Sequence, residues 1–202
     1  MSTITAVDVI PFTFEVPNLS LGAHRAMGVS NLQYDKGGRL QVMRYAVRIA
    51  TDDGLEGHYV THWVGTHAAL GQTIMLAPHL LGRNPEHREL IYDDLKRELR
   101  AYDHMGHGPL DIALWDLAGK YYQTPIYRLL GGYKERLPCY ASTYHGDTNG
   151  GLDSPEAYAD FALQCRDMGT RGSKSTAGGR RRSPKKLPRC GRFASRLAAA
   201  WI

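Results

Sequence analysis

Cysteine is scarce in this sequence: Cys139, Cys165 and Cys190 are odd in number and far apart. That spacing offers neither a disulfide framework nor a metal-ligand pattern, so a reducing cytoplasm is the expected compartment. No apolar run approaches the ~20 residues of a membrane helix. The opening MSTITAVDVIPFTF has neither a basic start nor a long apolar stretch, so no signal peptide or membrane partner is expected. A phosphate-binding glycine loop is missing too, because Gly106-His107-Gly108 lacks the rest of any dinucleotide or P-loop signature. Acidic residues are absent from one end: Met168 to Ile202 holds ten Lys and Arg and no Asp or Glu. The first 167 residues then carry 15 basic and 20 acidic side chains, a net of −5. The overall +5 therefore describes neither the acidic body nor the basic tail.

What is present suffices for a core, since 43% of the 202 residues are hydrophobic. Ile4 to Phe14 reads as a strand interrupted by Pro11, and Pro17 to Arg39 as a long polar loop, either functional or disordered. Leu40 to Ala50 alternates as a half-exposed strand. Asp52-Asp53-Gly54 is a hairpin turn, and Leu55 to Val60 returns. Helical spacing follows over His67–Leu81, with Leu70, Ile74, Ala77 and Leu81 on one face. Asn84-Pro85-Glu86 reads as the cap of a second helix carrying Leu90, Ile91, Tyr92, Leu95 and Leu99. An antiparallel meander followed by a helical bundle is an α+β unit. Beyond it, Leu137–Thr143 reads as a buried strand. Ser154-Pro155-Glu156 opens a helix with Tyr158, Phe161, Ala162 and Cys165 inward, and a second strand is expected next, as in a parallel βα unit.

The central stretch is His104–Gly132, HMGHGPLDIALWDLAGKYYQTPIYRLLGG. Leu110, Ala113, Leu114, Leu117 and Tyr121 line one helical face, while Ile112, Trp115, Ala118 and Tyr122 fill much of the other. A helix apolar nearly all round is expected between two bodies. Pro109 suits a first helical position. Asp116 and Lys120, four apart, are placed to pair, and Gly131-Gly132 stops the short turn after Pro125.

Leu110–Lys120 and Pro125–Gly132 resemble the enolase superfamily in its mandelate racemase/muconate-lactonizing branch, a group of lyases and isomerases. The resemblance implies that residues 1–134 form an N-terminal capping domain and that residues 135–171 begin a (β/α) barrel. It also implies proton abstraction beside the carboxylate of a sugar-acid or hydroxy-acid substrate, with the enolate held on Mg²⁺. A barrel needs eight such units in roughly 250 residues, and only 66 residues follow Arg136. An incomplete barrel start is therefore expected. Residues 172–202 read as a basic tail that is disordered or out of frame, since codons for GSKSTAGG exist that a one-base shift reads as FKIHGWG.

The family's three metal-binding carboxylates lie on later strands, so no metal ligand is assigned here and this chain is expected to bind no Mg²⁺. Asp147 and Asp153 read as turn and cap residues. By resemblance, Lys174 is the first lysine of a K-x-K motif whose second position, the base, is Thr176; an unactivated hydroxyl is no general base near neutral pH. Ser142 at the end of the first barrel strand, and His24 and Arg25 in the long loop, are the expected substrate contacts. His58 and His62 are weaker candidates, and His104 and His107 read as helix-start residues. The expected function is a fragment of a Mg-dependent acid-sugar dehydratase or racemase, inactive as this chain. The expected association is as a homo-oligomer or through exposed apolar surface. The alternatives are nonspecific nucleic-acid binding by the basic tail, which lacks aromatic interleaving, and non-catalytic partnership with full-length relatives.

Overall fold

The computed structural model describes residues 2–21, 32–62, 66–144, 152, 154–170 and 173–175. Two compact units divide the chain: residues 1–15 with 41–133, and residues 16–40 with 134–202.

The first unit is an antiparallel sheet covered by helices. Strands β1 (Ile4–Leu21), β2 (Leu32–Thr51) and β3 (Glu56–Val60) lie in that order, residues 16–21 of β1 and 32–40 of β2 being counted to the second unit. Gly54, at φ +84°, makes the expected turn, and β3 returns antiparallel with Ala46 opposite Val60 and Ile49 opposite Gly57. Alternation sends Ile4, Tyr45, Val47 and Ile49 inward. Against them pack α1 (Thr66–Leu76) with its 3₁₀ extension Ala77–Leu80, α2 (Arg88–Glu98) and α3 (His107–Tyr121). Leu76, Leu80, Ile91, Leu95, Leu110 and Leu114 are essentially without exposure, and each contributes about 1.5–3 kcal/mol by leaving water. Short α4 (Ile126–Leu129) follows and ends at Gly131 and Gly132, both at positive φ as expected.

The close packing of sheet on helix is set at Gly57. A β-carbon there would overlap the Ala113 carbonyl oxygen and the Leu117 β-carbon, so only glycine lets β3 lie on α3.

Several sequence expectations are corrected. Pro11 does not interrupt β1: the strand is an edge of the sheet, where a missing N–H costs no ladder bond. The long loop is shorter than Pro17–Arg39, because β1 runs to Leu21 and β2 starts at Leu32. Asn18, at φ +58°, accepts a hydrogen bond from the Gly37 amide at 3.1 Å and ties the two arms. In α1 the buried face is Thr66, Ala69, Thr73 and Leu76, whereas Ile74 and Leu81 are half exposed. The inward threonine is tolerated because its polar valences are met. Tyr45 donates to the Thr73 hydroxyl at 2.8 Å, and Thr73 donates to the Gly106 carbonyl at 2.8 Å. Burial also holds the Tyr45 phenol above its ordinary pKa. Asn84 accepts from the Glu86 amide in a turn and does not cap α2, whose first residue is Arg88. Leu90 of that helix is outward and half exposed. Pro109 is the third residue of α3, not the first.

The second unit holds a two-stranded parallel sheet, β4 (Ala141–Tyr144) and β5 (Ser173–Ser175), joined through α5 (Pro155–Asp167). Ser154 caps α5, accepting from the Ala157 amide at 3.1 Å, and Gly169 at φ +93° ends the turn after it. Ala159, Ala162 and Cys165 are its buried face, with Tyr158 and Phe161 only partly covered. The expected strand begins late: Leu137 to Tyr140 are exposed and outside it, consistent with Pro138 lacking a ladder donor. Strand β5 lies in the segment read as a tail.

Candidate functional site

Parallel pairing in the second unit puts Ala141 opposite Ser173, Ser142 opposite Lys174 and Tyr144 opposite Ser175, with an irregularity between Ser142 and Tyr144. Two residues 32 apart in the chain, each singled out from sequence, thus become cross-strand partners. Ser142 is exposed. The carboxyl ends of parallel strands are where α/β folds assemble ligand sites. The side chain of Lys174, and residues His145, Asp147, Asp153 and Thr176, lie outside what is described. So do His24 and Arg25.

His58 has a different setting. Strand β3 presents Glu56 and His58 on one edge of the first unit, and α3 brings Asp116 and Lys120 to meet them. The Lys120 ammonium lies 2.6 Å from Asp116, 2.8 Å from the Glu56 carbonyl oxygen and 3.0 Å from His58 Nδ1. With Nδ1 accepting, His58 Nε2 donates to Glu56 at 3.1 Å. The His58 amide donates to Asp116 at 2.8 Å. Arg48 of β2 extends the chain of charges, reaching Glu56 at 2.5 Å and Asp8 at 2.6 Å.

The electrostatics follow from these bonds. Arg48 holds the Glu56 carboxyl below its usual range, against a smaller desolvation effect. Burial alone raises Asp116, but bonds from Lys120 and the His58 amide together bring it below the ordinary carboxylate value. The Arg48 guanidinium is held still more firmly protonated by Glu56 and Asp8. Every donor of Lys120 has an acceptor and both nitrogens of His58 are engaged, so this cluster joins strand to helix and has little capacity left for a substrate. The Asp116–Lys120 pair was legible from its spacing. Asp8, Arg48 and Glu56 were missed; the one available signal was that alternation sends Arg48 outward while Val47 and Ile49 go in.

His62 and His107 have settings of their own. His62 is exposed just beyond β3, where its carbonyl accepts from the Thr66 hydroxyl at 2.8 Å. His107 opens α3, its Nδ1 donating to the His104 carbonyl at 2.9 Å, which is the helix-start role expected. One turn on, burial raises Asp111 above the ordinary carboxylate value, opposed by nearby His107. Among the described residues no three His, Cys, Asp or Glu side chains are grouped to hold a metal ion. Among the described residues there is thus no carboxylate set of the kind Mg²⁺ takes.

Comparison with known proteins matches the same regions. A family model described as mandelate racemase/muconate lactonizing enzyme, N-terminal domain, matches residues 37–131. The 3,6-anhydro-alpha-L-galactonate cycloisomerase of Streptomyces coelicolor is 32% identical over 151 residues, covering 71% of this chain and 38% of that protein. Arabinonate dehydratase of Saccharolobus solfataricus is 33% identical over 102 residues, 47% of this chain and 27% of that one. Among solved structures, D-glucarate dehydratase of Agrobacterium tumefaciens complexed with magnesium superposes with a TM-score of 0.64 at 26% identity. That match covers 98% of this chain and 50% of the other. L-Talarate dehydratase of a Polaromonas species, complexed with Mg and L-glucarate, shares the fold with a TM-score of 0.67 at 20% identity, over 99% and 51% of the two chains. This chain thus spans about half the length of these solved proteins and a smaller share of the curated ones.

Proposed function

The chain belongs to the mandelate racemase/muconate-lactonizing branch of the enolase superfamily, and from that premise we propose that it is the N-terminal portion of an acid-sugar dehydratase or racemase. Residues 1–134 act as the capping domain, and residues 135–171 supply the first βα unit of a barrel whose second strand is β5. The reaction is removal of the proton beside a substrate carboxylate. The observation that carries this reading is the register of Ser142 against Lys174. It places a hydroxyl-bearing and an ammonium-bearing residue side by side on parallel strands, complementary in chemistry to a carboxylate. His24 and Arg25 add a contact to the same anionic substrate from the segment between β1 and β2.

This chain alone is inactive in our reading. Thr176 stands where the family's K-x-K motif places its base, and a hydroxyl without activation does not take a carbon-bound proton near neutral pH. Among the described residues no ligand set for Mg²⁺ is grouped. Purified 202-residue protein, supplied with Mg²⁺ and a panel of aldonic and aldaric acids, is expected to give no turnover; measurable turnover overturns the inactivity. A chimera separates that from the family role. Residues 1–134 replacing the corresponding domain of arabinonate dehydratase should restore Mg²⁺-dependent activity, and a folded but inactive chimera would count against a capping role.

Self-association is the second part of the proposal. Ile112, Tyr121, Tyr122, Tyr127 and Leu130 are between 41% and 65% exposed on α3, α4 and their flanks. Apolar side chains left exposed along this helix and its flank support association with a second apolar surface. Light scattering should show mass rising with concentration, and a monomer at all concentrations removes this part. No helix among the described residues is long and apolar enough to cross a membrane. Cys139 and Cys165 are free thiols, in keeping with the proposed cytoplasmic location.

A further inference from the structure

We draw no further inference here: the strongest candidate, the shallow groove where Trp115 of α3 meets the first turn of α2 and Arg88 lies 4.6 Å over the indole, is a helix N-terminus flanked by both Glu86 and Glu89, and nothing in the structure shows what covers it.

Discussion

The two units reach order by different means. The first buries Ile, Leu, Val and Tyr side chains from two strands and three helices in one cluster, with Tyr59 of β3 packed against it. The second offers Ala159, Ala162 and Cys165 as its fully covered apolar residues among those described. Since stabilisation scales with apolar area removed from water, three small side chains contribute less than two buried leucines. Leu137 of the second unit deepens the contrast at 75% exposed. Beside the outer arms of β1 and β2, the second unit has a sheet of two short strands and one helix, which is marginal alone. The first unit can specify itself, whereas the second depends on local devices such as the Ser154 cap.

Core truncation should break the first unit outright. Leu114→Ala removes a side chain 1% exposed and should cost about 2–5 kcal/mol through lost transfer energy and the cavity left behind. Urea denaturation followed by far-UV circular dichroism measures it; a loss below about 1 kcal/mol would mean the core relaxes far more than its packing implies. Gly57→Ala comes next, at about 1–3 kcal/mol. The added carbon meets the Ala113 backbone and the Leu117 β-carbon, neither of which can rotate away. Both variants should leave hydrogen exchange of the α5 amides near its wild-type rate if the two units are energetically separate.

What the sequence disclosed follows the same division. The hairpin at Gly54, the inward Leu110, Ala113, Leu114 and Leu117 of α3, the Asp116–Lys120 pair and the Ser154 cap all rest on interactions within a few residues, so spacing and residue type were enough. Thr73 was not legible as a core position, because its burial depends on Tyr45, 28 residues away, and Gly106, 33 residues away. Periodicity scores a threonine as polar and moved the α1 face toward Ile74. The arms beyond Pro17 were missed for a related reason, since a proline-bearing edge strand looks like loop until its partner is known. Of the site, Ser142 and Lys174 were named separately through resemblance, but only the parallel register made them neighbours. The charge cluster around Glu56 needed the β2–β3 register and the Gly57 contact together.

Two smaller perturbations sharpen the contrast. Thr73→Val keeps the shape and removes the hydroxyl, leaving the Tyr45 O–H and the Gly106 carbonyl without that partner; the expected loss is about 1–3 kcal/mol. Its signature is global, an earlier unfolding midpoint with unchanged m-value. Ser154→Ala should cost about 1 kcal/mol and be felt locally. Amides of the first turn of α5, Ala157 above all, should exchange faster while those of α2 and α3 do not change. If Ser154→Ala instead lowered the midpoint of the whole chain as Thr73→Val does, the two units would be one cooperative body and the contrast would fail.

The smallest effect concerns acid. Glu56 and Asp116 both have folded-state carboxyl groups below their ordinary values, so the unfolded chain binds their protons more readily than the folded one. Stability from these groups is then fully present above the ordinary carboxylate range and drains away as pH falls through their lowered folded values. The cluster is partly exposed, and solvent screening keeps each pair weak. Glu56→Gln removes one of the two linked titrations and breaks the charge pairing with Arg48. Its urea midpoint should therefore fall slightly at neutral pH and converge with wild type as pH drops below about 4, near the unperturbed carboxylate values. Because every member of the cluster except Asp8 of β1 lies on the β2–β3–α3 body, that convergence should appear in signals from α3. A wild-type midpoint independent of pH over this range would show that the clasp between strand and helix is geometric only, and that Gly57 and the apolar core alone hold them together.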